Sequence, residues 1–407
     1  MSVPISSAEA EIAPARSSRL PATVLALGVT SFFTDVGSEM IFPLLPVFVA
    51  SLGASPAFLG LVEGLSDAIA SLLKLGAGQL SDRLPRKKPL VLLGYGIATF
   101  ARPLMGLATL PWHVLVVRMS DRVGKGIRSA PRDVLIATAV PADQAGRAFG
   151  LHRAMDHAGA VVGPLIATAL VGLGWSLREV FLAAVVPGVL AMVALAAVRE
   201  QPAPPPPSPA ARAEAAAAGP LPRRFYTYLA IIVLFSLGAS SDAFLLLRAR
   251  DLGVEMALIP TLWVVLHVSK LISNYFGGAL ADRVSRSGLI AAGWGVYALS
   301  YLGLGYATAQ WQVWALFVVY GVYYGLTEPS EKALVRDIAT REAQGRAFGL
   351  YHFTVGLSAI PASVLTGWVW QAASPQAALA LGAAIAACAS LALVLFSAAM
   401  RRSGLSV

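Results

Sequence analysis

Apolar runs of about twenty residues recur along almost the whole chain, separated by short polar turns. A helix that crosses a bilayer needs roughly 20 mostly apolar residues. The pattern predicts twelve spans, at about 20–51, 57–80, 89–110, 112–131, 147–172, 177–198, 225–247, 256–281, 288–308, 310–330, 346–370 and 375–400. Pro43 and Pro46 interrupt the first, and charges crowd the fourth. Composition sharpens the picture. Of 407 residues, 57% are hydrophobic and 13% charged, whereas soluble domains carry about a quarter charged residues. The fold class expected is an all-α polytopic membrane protein with 12 transmembrane helices.

The net charge of +9 raises nucleic acid as a partner, but the distribution argues for lipid. Among the 31 Lys and Arg, only Arg178, Arg248 and Arg250 fall in loops read as external, and most of the rest lie in tails and loops on the other side. That asymmetry is the positive-inside rule. It predicts an inner-membrane protein with both termini cytoplasmic and no nucleic-acid partner. Cys388, the one cysteine, lies in the last span, so there is neither a disulfide framework nor a cysteine metal site. The first apolar run is too long for a signal-peptide core and reads as an uncleaved helix.

Residues 201–220 read QPAPPPPSPAARAEAAAAGP, the composition of a semi-rigid spacer. The expected organisation is a cytoplasmic tail (1–19), a six-helix bundle (20–200), a cytoplasmic linker (201–222), a second six-helix bundle (223–400) and a short cytoplasmic tail (401–407). The halves repeat. GQLSDR at 78–83 returns as GALADR at 278–283, and GRAFGL at 146–151 returns at 345–350. Parallel six-helix repeats are a transporter architecture with substrate bound between the halves.

With Gly78-x-Leu80-Ser81-Asp82-Arg83-x-x-Arg86-Lys87 and its weaker copy at Gly278–Arg286, the chain resembles the major facilitator superfamily over essentially its full length. The resemblance implies two pseudo-symmetric bundles, alternating access, and a gate on the cytoplasmic side. Gly78 and Gly278 permit close helix approach. Asp82 and Asp282 can accept hydrogen bonds at a helix terminus. Arg83, Arg86 and Lys87 stay at the cytoplasmic surface, Arg283 belongs to the weaker copy of the gate, and Arg147 and Arg346 in GRAFGL belong to the same latches. Gly159, Gly163 and Pro164 resemble the superfamily's antiporter signature, although Ala167 and Thr168 stand where two glycines usually follow. There the resemblance implies a bent helix that seals the half-interface. Arg118, followed by Gly124 and Gly126, is similar to the proton-linked arginine motif of the fourth helix.

An ionisable group inside a span costs about 2.5–3.5 kcal/mol and marks function. The in-span cations are Lys74, Arg102, Arg118, Arg122, Lys125, Arg128, Arg153 and Lys270; the acids are Asp35, Glu39, Glu63, Asp67, Asp121, Asp156, Asp242 and Glu328. Lys125 and Arg128 are expected to snorkel toward the cytoplasm. Asp35 and Glu39 share one helical face, as do Glu63, Asp67 and Lys74. Two carboxylates on one face in low dielectric cannot both carry charge cheaply, which suits a proton carrier. Arg118 or Arg122 would compete with that proton. A static ion-pair network is the alternative reading. The N-terminal half is expected to carry the coupling chemistry and the C-terminal half the substrate fit.

His152, Arg153, Asp156 and His157 form a polar cluster at the start of the fifth span. His152 and Asp156 are one turn apart, a weak metal-ligand spacing, and Glu328, Glu331 and His352 add further hard ligands. An inter-helix latch is the favoured reading, with no metal site. Tyr320, Tyr323, Tyr324 and Tyr351 suit an aromatic wall for an amphipathic substrate. The leading expectation is proton-coupled efflux of a small organic compound by a monomer that needs no cofactor. Export of a divalent metal or chelate, uptake of an anionic metabolite, and a non-transporting membrane sensor are the alternatives. No GxxxxGK[ST] loop is present, and no nucleophile–base constellation suggests an enzyme.

Overall fold

The computed structural model describes residues 20–54, 56–200, 221–240, 242–255 and 258–402. The tail 1–19, the Pro/Ala stretch 201–220 and residues 403–407 lie outside the described residues. Among those described there is no strand. Twelve helical rods are formed by the described residues. In the first half they are α1 (Ala22–Glu39, continued by Leu45–Ser51), α2 (Pro56–Arg83), α3 (Lys88–Ala101), α4 (Pro111–Ala139), α5 (Ala145–Gly172) and α6 (Leu177–Ala183 and Val185–Ala196). In the second half they are α7 (Arg223–Gly238 and Asp242–Asp251), α8 (Ile259–Ala281), α9 (Arg286–Tyr306), α10 (Gln310–Ile338), α11 (Gln344–Ala372) and α12 (Pro375–Arg402).

Seven of these stretches are long and apolar enough to cross a membrane. The other five are the interrupted α7 and the helices α2, α4, α8 and α10, where buried charges and amides are concentrated. Residues such as Leu93, Phe100, Leu299 and Trp368 point outward, more than half exposed. Water would penalise so much apolar surface, whereas lipid does not.

Two boundaries differ from expectation. α4 and α10 run well past 131 and 330, because each passes straight through an internal proline, Pro131 and Pro329. A proline removes one backbone donor, and packed neighbours in a membrane bundle tolerate that loss.

Within the first half, α4 packs against α2 and α3, and α1 against α5 and α6. Glu200 ties α6 to the start of α3, accepting from the Lys87 and Lys88 amides at 2.6 and 3.1 Å. Between the halves the closest seams are α2–α11 and α5–α8. Glycine makes both possible. A methyl group on Gly345 would sit 2.6 Å from the Gly78 carbonyl oxygen, and one on Gly146 the same distance from that of Gly278.

The second half is cored by aromatics. Phe235 stacks on Trp294 at 4.5 Å, and Tyr297 on Tyr301 at 4.1 Å.

Candidate functional site

One end of the bundle is latched by carboxylates that cross between the halves. Asp82, at the end of α2, accepts the backbone N–H groups of Gly345 and Arg346 at 2.6 and 2.7 Å. Asp282, just after α8, accepts those of Gly146 and Arg147 at 2.7 and 2.9 Å. Neither α5 nor α11 has a side-chain cap of its own. Each half therefore supplies the missing cap to a helix of the other, satisfying orphan donors at the positive end of the helix dipole. Burial holds the Asp282 carboxyl above the usual carboxylate range, and the two N–H donors partly offset that.

Arg336 reinforces this end by donating to the Ala137 and Val140 carbonyls at 2.9 and 2.8 Å. Arg286 donates to the Ala142 carbonyl at 2.5 Å. Arg83, Arg86 and Arg283 are exposed at the same end. Arg147 and Arg346 enter the latch through their backbone amides.

Beyond the latch, toward the other end of the bundle, lies a cavity of about 200 Å³. Its walls come from α1 (Asp35, Ser38, Glu39, and Phe42 just beyond), α4 (Arg122, Lys125) and α5 (Arg153, Asp156, His157, Ala160), with His267 from α8. Gly159 and Gly163 bring α5 this close to the acid-bearing face of α1. A methyl on Gly163 would lie 2.6 Å from the Val36 carbonyl oxygen and 2.9 Å from the Glu39 Cβ, and one on Gly159 would overlap the Phe32 carbonyl. The antiporter-like glycines thus pack within the first half. The α5 glycines that meet α8 are Gly146 and Gly150. α5 continues unbroken through Pro164.

Charges around the cavity are paired in layers. Arg153 bridges the halves, donating to Asp156 at 3.0 Å and to Glu328 of α10 at 2.6 Å. His157 Nε2 lies 3.2 Å from the other Glu328 oxygen. Arg102 donates to Asp121 at 2.8 Å and to the Thr34 carbonyl at 2.5 Å, and Arg118 stands 3.9 Å from Asp121. Asp242 accepts from the Tyr320 and Tyr324 hydroxyls at 2.6 and 3.1 Å and lies 3.3 Å from Lys270. Glu63 and Asp67 lie on α2, but their side chains are outside the described residues.

Several expectations change. Arg128 does not snorkel; it is buried, its guanidinium 4.3 Å from the centre of the Tyr95 ring. Lys125 turns into the cavity. The His152–His157 cluster sits two turns inside α5 and spans the halves through Arg153 and His157. His152 is fully buried, 3.8 Å from Asp156. Glu328, Glu331 and His352 diverge: Glu331 accepts from Tyr351 and Trp294, at 2.5 and 3.3 Å, while His352 meets Asp133. Among the described residues no three His, Cys, Asp or Glu side chains converge on a metal geometry. The tyrosines are not among the described residues that line this cavity; Tyr320 and Tyr323 stack on one another in the second half.

One cluster was missed by sequence reasoning. Asp133 of α4, 0% exposed, lies 2.9 Å from Lys332 Nζ of α10 and 2.7 Å from His352 Nε2 of α11, with Arg132 at 3.1 Å. Three of these residues fall beyond the prolines at which the spans were ended. A signal was present: Asp133 and Lys332 are 199 positions apart, the same offset as the two GRAFGL copies.

The Major Facilitator Superfamily model matches residues 27–268 and again 229–405. The chain belongs to the major facilitator superfamily. A relative in this superfamily, an uncharacterized MFS-type transporter of Methanocaldococcus jannaschii, is 32% identical over 382 residues, covering 92% of this chain and 95% of the relative. Multidrug resistance protein MdtG of Enterobacter lignolyticus is 28% identical, covering 78% of each chain. Among solved structures, the human organic anion transporter MFSD10 aligns with TM-score 0.75 at 13% identity, over 91% of this chain and 99% of its own. FucP in its outward conformation aligns with TM-score 0.72 at 14% identity, over 93% and 100%. At such identities the structural likeness carries the fold. The MFS fold, the family match and the apolar helices make this an integral membrane transporter.

Proposed function

We propose that this MFS transporter exports a small organic compound in exchange for protons, by alternating access. The observation that carries the reading is the placement of Asp35 and Glu39. They line the cavity opposite the latched end, beside Arg122 and Lys125. Acids one turn apart in a low-dielectric cavity favour holding a proton between them. A bound substrate that competes for the same carboxylates expels that proton, and the exchange couples the two fluxes. The antiporter-like Gly159 and Gly163 support the export direction, because they press α5 onto this acid face. The multidrug resistance names of relatives such as MdtG point the same way.

The latched end is assigned to the cytoplasm, because Arg83, Arg86, Lys88 and Arg283 crowd its turns, as the positive-inside rule requires. That assignment puts both termini on the cytoplasmic side of the inner membrane and makes the present state outward-facing. In this reading residues 20–200 and 223–400 are the two rocking bundles, joined by a cytoplasmic linker at 201–222 and flanked by tails at 1–19 and 401–407. The transporter works as a monomer.

Purified protein in vesicles under an imposed pH gradient tests the reading. Substrate should accumulate against its gradient only when protons run the opposite way. Asp35→Asn and Arg118→Ala, inserted normally, should lose that dependence; unchanged pH dependence in both would discard the assignment.

A further inference from the structure

We infer that the cavity takes a small zwitterion, a molecule carrying one ammonium and one anionic group, rather than a bulky lipophilic cation. The inference rests on the transport reading above and specifies its substrate.

Size is the first ground. Drug-sized ligands occupy pockets of roughly 300–1,000 Å³, and this cavity holds about 200 Å³. The second ground is the chemistry of the walls. Among the described lining residues only Phe42 and Ala160 are apolar, so a greasy ligand would exchange water for charged, hydroxyl and imidazole surface and gain little. The tyrosines that would have offered an aromatic wall are turned into the second half's core, where Tyr320 and Tyr324 hold Asp242.

The third ground is the ordering of charge. Arg153 and Asp156 satisfy one another and Glu328. What a ligand meets is then acid on one side, Asp35 and Glu39 of α1, and base on the other, the Lys125 ammonium of α4, with Arg122, which already has a partner, beside it. A ligand with net charge would leave one wall desolvated against a group it does not match, and unmatched buried charge is costly. A molecule with both charges meets both walls: its ammonium faces Glu39 and Asp35, and its carboxylate or phosphonate faces Lys125.

The test uses purified full-length protein, in detergent for thermal-shift binding and in vesicles for counterflow. The probes are α-, β- and γ-amino acids and glycine betaine, their methyl esters as net cations, their N-acetyl derivatives as net anions, and tetraphenylphosphonium. Zwitterions should stabilise the protein and exchange. The singly charged derivatives should bind about tenfold or more weakly, as expected when one charged contact is lost. Glu39→Gln should move preference toward the N-acetyl anions, and Lys125→Gln toward the methyl esters.

Stronger binding of tetraphenylphosphonium than of any zwitterion overturns the proposal, as does binding of no zwitterion or an unchanged charge preference in both variants. The transport reading fails separately. Zwitterion binding without any pH-driven flux would leave the site assignment standing and remove proton exchange. Proton-driven flux of the lipophilic cation alone would do the reverse.

Discussion

At the residue scale, the most consequential contact is the buried meeting of Asp133 with Lys332 and His352 across the half-interface. Removing one partner of a buried pair strands the other charge, at a cost of about 3–5 kcal/mol, whereas replacing both with apolar groups is often neutral. Asp133→Leu or Lys332→Leu alone should therefore lower the unfolding temperature sharply in detergent. The double variant should recover the part of the loss that came from stranding Lys332, but not the part that comes from depriving Arg132 and His352 of their carboxylate. Equal and additive losses would show that the two side chains do not depend on each other. The glycines make a second residue-level prediction. Gly163→Ala places a methyl 2.6 Å from the Val36 carbonyl, an overpacking that costs about 1–3 kcal/mol. Gly76→Ala, where nothing lies within 4 Å, should be nearly silent in the same thermal assay. Asp82 and Asp282 were legible as helix-terminus acceptors from their motif. Their exact partners were not, because each caps a helix more than 130 positions away.

At the element scale, the spans were legible because lipid imposes one length and one polarity on all of them. Their ends were less so. Pro131 and Pro329 resemble stop signals in an isolated helix, but the bundle carries α4 and α10 past both. The extensions bring Asp133, Lys332 and Arg336 under the latch, which is why this cluster escaped a reading span by span. The Gly-lined seams of α2 with α11 and α5 with α8 make a prediction of their own. Gly146→Ile or Gly345→Ile should prise the matching seam apart. A cysteine placed at Ser81 should then become more reactive to a water-soluble maleimide than in the parent protein. Unaltered reactivity would mean that these seams do not hold the latch closed.

At the scale of the whole molecule, two crossed caps hold one end shut while the cavity lies toward the other. An N-cap is worth about 0.5–2 kcal/mol, so losing both should shift a two-state equilibrium by about one to three powers of ten. Asp82→Ala with Asp282→Ala should favour the state open at the latched end, measured by spin-label distances between the α2–α3 and α10–α11 turns. Distances matching the parent's would place the lock elsewhere. The duplicated motifs made this two-fold plan readable. The part played by the tyrosines of α10 was not, since they read equally well as cavity wall or core until packing placed them.

The most direct measurement follows protons during exchange. Vesicles containing the protein, preloaded with a compound that it exchanges, would carry an internal pH-sensitive dye. Proton movement should accompany exchange in the parent protein and vanish in Asp35→Asn, while unlabelled-for-labelled substrate swapping, still supported by Glu39, persists at reduced affinity. Equal proton movement in parent and variant would contradict the assignment of coupling to the α1 carboxylates.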